Sequence, residues 1–197
     1  MKTFYELQEG LNDPNIFKAF FLAGGPGSGK SFVVGKTTGG TGLKIVNSDD
    51  VFEKYLKDAG FEMDMTTSKA ELQQEPRDKL RDRAKVVTKM KQDNYVDGRL
   101  GLVIDGTGAD YDKIVKQSIE LKQLGYDTHM IYVNTSLDVA LDRNSKRERK
   151  VSTSIATKSW KDVQSNLGKF SQHFRRNMII VDNNEVLEDD GTLFNDV

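Results

Sequence analysis

The chain has 197 residues, enough for one full α/β domain with its own core and too few for two. Its 29 basic and 30 acidic residues leave a net charge of −1, so no whole-molecule field draws it to DNA or to an anionic membrane. It has no cysteine, which excludes disulfides and thiolate metal sites. No signal peptide and no apolar run near the roughly 20 residues of a membrane span are present, which predicts a cytoplasmic protein with no membrane partner.

Residues 1–17 surround the turn cluster Asn12-Asp13-Pro14-Asn15 and read as an N-terminal arm. Next comes Ala19-Phe20-Phe21-Leu22-Ala23, an apolar run of strand length. It leads into Gly24-Gly25-Pro26-Gly27-Ser28-Gly29-Lys30-Ser31, which meets the phosphate-loop pattern G-x-x-x-x-G-K-S/T at every fixed position. Glycines let successive N–H groups turn inward onto phosphate oxygens, and the helix that Phe32-Val33-Val34 begins points its positive end at the same place. In that pattern Lys30 reaches the β- and γ-phosphates and the Ser31 hydroxyl completes the shell of Mg²⁺. The expected ligand is therefore a nucleoside triphosphate. Absence of a guanine-reading N-K-x-D pattern tilts the expectation toward ATP.

Gly35 to Gly42 is a flexible connection. A second strand, 43–47, ends at Ser48-Asp49-Asp50, where Ser48 or Asp49 can cap a helix Val51–Asp58 that Gly60 stops. The two carboxylates have two readings. They stabilise a helix N-terminus, or one of them, at the carboxyl edge of the sheet, takes the proton of an acceptor hydroxyl. Residues 61–67 have no clear period and are expected to cross the acceptor side. Ser68-x-x-Glu71 is a capping-box pattern, and Pro76 precedes a long helix with Leu80, Ala84, Val87 and Met90 on one stripe. Its other face is charged and solvated, or lends one or two arginines to the acceptor.

The third strand, 101–105, is apolar and ends in Asp105, an arrangement that brings a carboxylate to Ser31 and Mg²⁺. Asp110 is the expected cap of the helix that Gly125 ends. A fourth strand, 128–133, and a helix Leu137–Asn144 lead to a basic run: Arg143, Lys146, Arg147, Arg149 and Lys150. Three readings compete for it: a solvated run, a patch for a nucleic-acid backbone, and a lid over about 143–158 whose arginines, Arg143 and Arg147 among them, close over the phosphates. Position favours the lid, since phosphoryl transfer needs positive charge that arrives on closure. Ile155, Trp160, Val163, Leu167, Phe170 and Phe174 keep helical spacing. A last strand, 178–182, precedes Asn183-Asn184, which could meet an adenine or ribose, and an acidic tail over 185–197. The two histidines, His129 and His173, read as structural.

With these elements placed, the chain resembles P-loop kinases of the group that includes zeta toxins and the kinase domain of phage polynucleotide kinases. Two segments carry the likeness beyond the phosphate loop. Ile45-Val46-Asn47-Ser48-Asp49-Asp50 is similar to the segment whose Asp activates the acceptor hydroxyl, and Arg143-Asn144-Ser145-Lys146-Arg147 resembles the polynucleotide kinase lid. The resemblance implies a three-layer α/β sandwich with a five-stranded parallel sheet in the order 2-3-1-4-5. It also implies Asp49 as base, Asp105 as the group that orients acceptor or Mg²⁺, and Arg147 on the transferring phosphoryl group. The chain departs from polynucleotide kinases in having Phe52 where they carry an arginine, and from zeta toxins in lacking a His-Pro element. The expected activity is ATP-dependent phosphorylation of a hydroxyl on a 5′-hydroxyl polynucleotide, a nucleoside or nucleotide, or a nucleotide sugar. The alternatives are a nucleotide-hydrolysing switch and a nucleic-acid-binding module that uses residues 143–150.

Overall fold

A computed structural model describes residues 17–184. The expected N-terminal arm, apart from Phe17, and the acidic tail lie outside the described residues. The elements are β1 (Lys18–Ala23), α1 (Lys30–Thr38), β2 (Lys44–Val46), α2 (Ser48–Asp58), α3 (Ser68–Leu72), α4 (Gln74–Asp97), β3 (Leu102–Ile104), α5 (Tyr111–Gln123), β4 (Asp127–Asn134), α6 (Leu137–Ser145), α7 (Thr153–Phe174) and β5 (Met178–Asp182). The strands form one sheet in the order β2-β3-β1-β4-β5, and every pairing is parallel.

Successive side chains of a strand point to opposite faces, and β1 shows the consequence. Ala19, Phe21 and Ala23 join Ile114, Leu121, Val163, Phe170 and Phe174 in a core under α5 and α7. Leu22 faces the other way and packs with Val33 and Val34 of α1 and with Val103, Ile131 and Val133. Buried on both faces, the central strands carry the near-continuous apolar runs that marked them in the sequence. A satellite cluster of Phe52, Leu56, Met63 and Ala84 joins α2 to α4 beyond the β2 edge.

Four local expectations are corrected. The cap of α2 is neither Ser48 nor Asp49 but Asn47, whose Oδ1 accepts from Asp49 N at 2.8 Å, so the helix begins three residues early. Thr67, not Ser68, caps α3, through a bond from Ala70 N at 3.1 Å. On α4 Met90 is 62% exposed, while Arg77, Ala84, Thr88 and Gln92 are buried. Polar residues occupy much of the inward face there, which is why an apolar stripe misread it. Ile155 of α7 is likewise exposed, and Ala156 turns inward instead. The expected caps at Asp110 and turns at Gly60 and Gly125 are present, both glycines with positive φ.

The histidines sit in structural contacts: His129 stacks on Phe20 and meets Asp127, and His173 meets Ser118 at 2.6 Å. No helix among the described residues is long and apolar enough to cross a membrane.

Candidate active site

Strand order reverses at β1, and the loop that leaves its carboxyl end lies where open parallel sheets bind ligands. Gly24 N donates to Thr107 O at 2.8 Å and Ser28 N to Gly25 O at 3.1 Å, which closes the loop. Gly27 and Gly29 have φ of 81° and 86°, a region that L side chains avoid. A Cβ on Gly27 would collide with the Ala140 carbonyl, and one on Gly29 with the Asn183 amide. The N-terminus of α1 has no side-chain cap and no acid in its first turn, so its N–H groups remain open to an anion. Ser28 Oγ is buried without a hydrogen-bond partner among the described residues. These are the properties of a phosphate cradle.

Neighbouring elements hold the loop from behind. Thr135 Oγ1 and Asn183 Nδ2 both donate to Ser28 O, at 3.2 and 2.8 Å. Trp160 packs against Gly25 and donates from Nε1 to Thr135 O at 2.7 Å. Asn184 Oδ1 accepts from Ser136 N at 2.6 Å. Both asparagines thus brace the scaffold, because β5 ends beside the loop.

Six side chains predicted for the site come together. Lys30, Ser31, Asp49, Asp105, Arg143 and Arg147 line one cavity of about 640 Å³, together with Gly27, Ser28 and Gly29. Gly24, Gly25 and Pro26 form the base of the loop and do not line the cavity. Lys30 Nζ donates to Gly24 O at 2.7 Å. Burial pushes its pKa down, and Asp105 opposes that fall. Asp105 continues β3, with its N–H on Val46 O at 2.9 Å. Burial raises its pKa, with Lys30 opposing and Asp49 adding to the rise. Arg143 donates to Asn183 O at 2.7 Å, beside Gly29. Arg147 is exposed at the cavity mouth and acts electrostatically on both Lys30 and Asp105.

The structure adds residues that sequence reasoning missed. Asn47, the α2 cap, also donates from Nδ2 to Asp50 Oδ1 at 2.8 Å and to Asp105 Oδ2 at 3.1 Å, and so ties the first turn of α2 to the carboxylate that follows β3. Arg149 is nearly buried and holds two carboxylates of α2: its Nη2 is 2.9 Å from Asp49 Oδ2 and its Nε 2.8 Å from Glu53 Oε1. Phe52, beneath these groups, is 1% exposed and carries the Arg81 guanidinium 4.5 Å above its ring. Asp50 has a raised pKa, first from burial and then from Glu53 and Asp49. An Asn before two acids was a visible cap signal; the partners of Arg149 and Arg81 lie far off in sequence and left none.

The basic run joins α6 to α7 as a connection over residues 146–152, docked on α2 and on the segment after it. Met65 N donates to Lys150 O at 3.1 Å, Lys150 lies 3.6 Å from Asp64, and Lys57 lies 3.7 Å from Glu148. The 61–67 segment meets this connection through Asp64 and Met65.

Parallel sheet order, phosphate loop and a carboxylate at the end of β3 define a fold class, that of the P-loop kinases. Within it the particular family is clear: the zeta toxin profile matches residues 8–191, and the chain belongs to that family. No curated protein sequence matches the chain. Among solved structures, the AvrRxo1-ORF1:-ORF2 complex with ATP is similar at a TM-score of 0.66 and 16% identity, over 90% of this chain and 58% of that one. The PezAT toxin–antitoxin system of Streptococcus pneumoniae follows at 0.59 and 16%, over 84% and 68%. The Pnkp1/Rnl/Hen1 RNA repair complex follows at 0.57 and 18%, over 81% and 48%. The chain thus spans little more than half the length of the first of these.

Proposed function

We propose that the domain transfers the γ-phosphoryl group of ATP to a hydroxyl of an acceptor. One observation carries the reading: Asp49 and Asp50, in the first turn of α2, and Asp105, just past β3, share a cavity with Lys30, Ser31 and the N-terminus of α1, which no side chain caps. Phosphates enter the cradle, and Lys30 leaves the Gly24 carbonyl to pair with them. The acceptor oxygen bonds to the γ-phosphorus as the bond to the β,γ-bridging oxygen breaks, and ADP departs. Asp49 takes the hydroxyl proton, a role that requires it to part from Arg149. Arg143 and Arg147 supply positive charge to the transferring group.

The donor set also fits Mg²⁺. Among the described residues no group of three or more acids or histidines gathers a metal by itself, so Ser31 and Asp105 would hold the ion, with phosphate and water oxygens completing its shell. Bound there, the ion neutralises charge on the phosphates.

The test is incubation with labelled ATP and a panel of hydroxyl acceptors: 5′-hydroxyl oligonucleotides, nucleosides, nucleotides and nucleotide sugars. Asp49→Asn is expected to lower transfer by about 10²–10⁴-fold and leave ATP affinity within a few-fold, because a base acts on the acceptor proton and touches the triphosphate little. A larger loss in Asp50→Asn moves the base by one residue. Full rates in both variants, or ATP hydrolysis that no acceptor accelerates, sink the kinase reading.

A further inference from the structure

The site cavity is lined by the side-chain hydroxyls of Ser28, Ser31, Ser48 and Thr107. Three of these have a place in the architecture already described: Ser28 is buried in the phosphate loop, Ser31 is fitted to Mg²⁺, and Ser48 opens α2 beside the acids. Thr107, which is exposed, has none. Its backbone carbonyl accepts from Gly24 N at 2.8 Å, and Gly24 O is the group that Lys30 Nζ touches at 2.7 Å. A single residue of the loop thus separates Thr107 from the ammonium that holds the phosphates in the proposed reaction.

The connection from β3 to α5 that carries Thr107 is pinned on both sides of it. Asp105 N bonds to Val46 O at 2.9 Å. Asn166, 5% exposed, donates from Nδ2 to Gly108 O at 3.1 Å and to Ala109 O at 2.9 Å, and a Cβ on Gly108 would collide with Ala23. The hydroxyl itself is loosely engaged. Thr107 Oγ1 accepts from Ala109 N at 3.4 Å, past the usual range for such bonds, and its proton has no acceptor among the described residues. A fixed backbone with an uncommitted hydroxyl beside the phosphate clamp suits intramolecular transfer, in which a held reactant gains an effective concentration far above that of any dissolved acceptor.

We propose that Thr107 is a site of self-phosphorylation. With ATP bound and no acceptor in place, Thr107 Oγ1 bonds to the γ-phosphorus as the bond to the β,γ-bridging oxygen breaks, its proton passes to Asp49, and ADP departs. The inference rests on the kinase reading for the transfer itself. Its product is a phosphothreonine that carries about −1.5 to −2 charge at neutral pH, in a cavity that Lys30, Arg143 and Arg147 also line. Those cations then hold a covalent phosphate where they would hold the nucleotide's, so the modified chain binds ATP weakly and an idle enzyme switches itself off.

The test is incubation of the full chain with Mg²⁺ and γ-labelled ATP without acceptor, followed by phosphopeptide mass spectrometry. Label is expected on the peptide that holds Thr107, at a fractional rate independent of chain concentration, and stable to acid as a phosphate ester is and an acyl phosphate on aspartate is not. Thr107→Val keeps the side-chain shape, gives up only the 3.4 Å bond and should lose the label, whereas Thr107→Ser should keep it. A second measurement needs no turnover: in calorimetric titration with ADP, Thr107→Glu is expected to bind about tenfold more weakly than Thr107→Gln, because only the former adds negative charge. A chain that phosphorylates an added hydroxyl acceptor but takes no label itself, or takes it on Ser48 with Thr107 bare, overturns the proposal and leaves the kinase reading standing. Equal ADP affinity in Thr107→Glu and Thr107→Gln overturns the self-silencing step. Neither label on the chain nor transfer to any acceptor fails the kinase reading, and the proposal with it.

Discussion

Lys30 holds its ammonium against the carbonyls of Gly24 and Gly25, at 2.7 and 3.4 Å, in the place where phosphate oxygens are expected. Burial pushes its pKa down, so its charge is held in the loop at some cost and finds its best partner in the phosphates. Lys30→Ala should therefore cut nucleotide turnover by about 10²–10³-fold while leaving circular dichroism and thermal stability close to wild type. Unchanged turnover in a folded variant removes the phosphate-loop assignment. Asp105 shows the same conflict between function and stability with the opposite charge. Burial raises its pKa, so the folded chain takes up this proton more readily than the unfolded one. Stability at this position is fully present below the ordinary carboxylate range, near pH 4, and is lost as pH rises through the raised folded value. Asp105→Asn, neutral throughout, should then melt higher than wild type near pH 8, with the gap closing toward pH 4, even as it loses transfer activity. Thermal scans across that range check it; a wild type that melts as high as the variant at pH 8 removes burial as the controlling cause.

At the scale of elements, the loop acts as a joint between β1, α1 and α6. Gly27 has φ of 81°, and any Cβ there would meet the backbone of Ala140 in α6, an atom that no side-chain rotation can move aside. Gly27→Ala should cost at least about 2 kcal/mol, from about 1–2 kcal/mol of left-handed strain plus the displaced helix. At about 2–4 °C per kcal/mol for a chain of this size, the melting point should fall by roughly 4–8 °C, and nucleotide affinity with it. A drop under 1 °C would mean that α6 is not seated on the loop. This joint was legible in the sequence because backbone geometry dictates the pattern: glycines at fixed offsets, then Lys30-Ser31. Strands were legible for a related reason, since β1, β3 and β4 are buried on both faces and read as continuous apolar runs. What failed were elements whose inward face is polar. Arg77 is 1% exposed, and its Nη2 donates to Glu62 O at 2.9 Å, so α4 buries a guanidinium that the charged-face reading placed in solvent or at the acceptor. The cap at Asn47 was missed because Ser48 and Asp49 are equally good cappers by type, and only the backbone decides among neighbours.

Across the whole molecule, the two halves of the site are latched by one residue of the α6–α7 connection. Arg149 bridges to Asp49 and Glu53 of α2, its side chain 9% exposed, while the other links of that connection, Lys57 to Glu148 and Lys150 to Asp64, are more exposed and individually weak. In this arrangement the residue proposed as base is neutralised by a cation, so transfer requires the connection to shift. On the proposed mechanism such a latch would keep an empty site from reacting. Exposed ion pairs contribute about 0–1 kcal/mol each, whereas removing one partner of a buried, doubly paired charge costs about 3–5 kcal/mol; Arg149, near the buried end, should fall between these. Arg149→Ala is then expected to raise the local opening of residues 146–152 by roughly tenfold or more, because each 1.4 kcal/mol is a factor of ten in the opening constant. Amide hydrogen exchange should show the change in the connection and in the first turn of α2, with exchange in the buried strands β1 and β4 unaffected. Addition of ATP should add protection over 146–152 in the wild type through Arg143 and Arg147, and should restore only part of what the variant has lost. Exchange at 146–152 that does not change in Arg149→Ala would show that the contacts at Met65, Asp64, Lys57 and Asn144 hold the connection without Arg149, and the latch would have no role in gating Asp49.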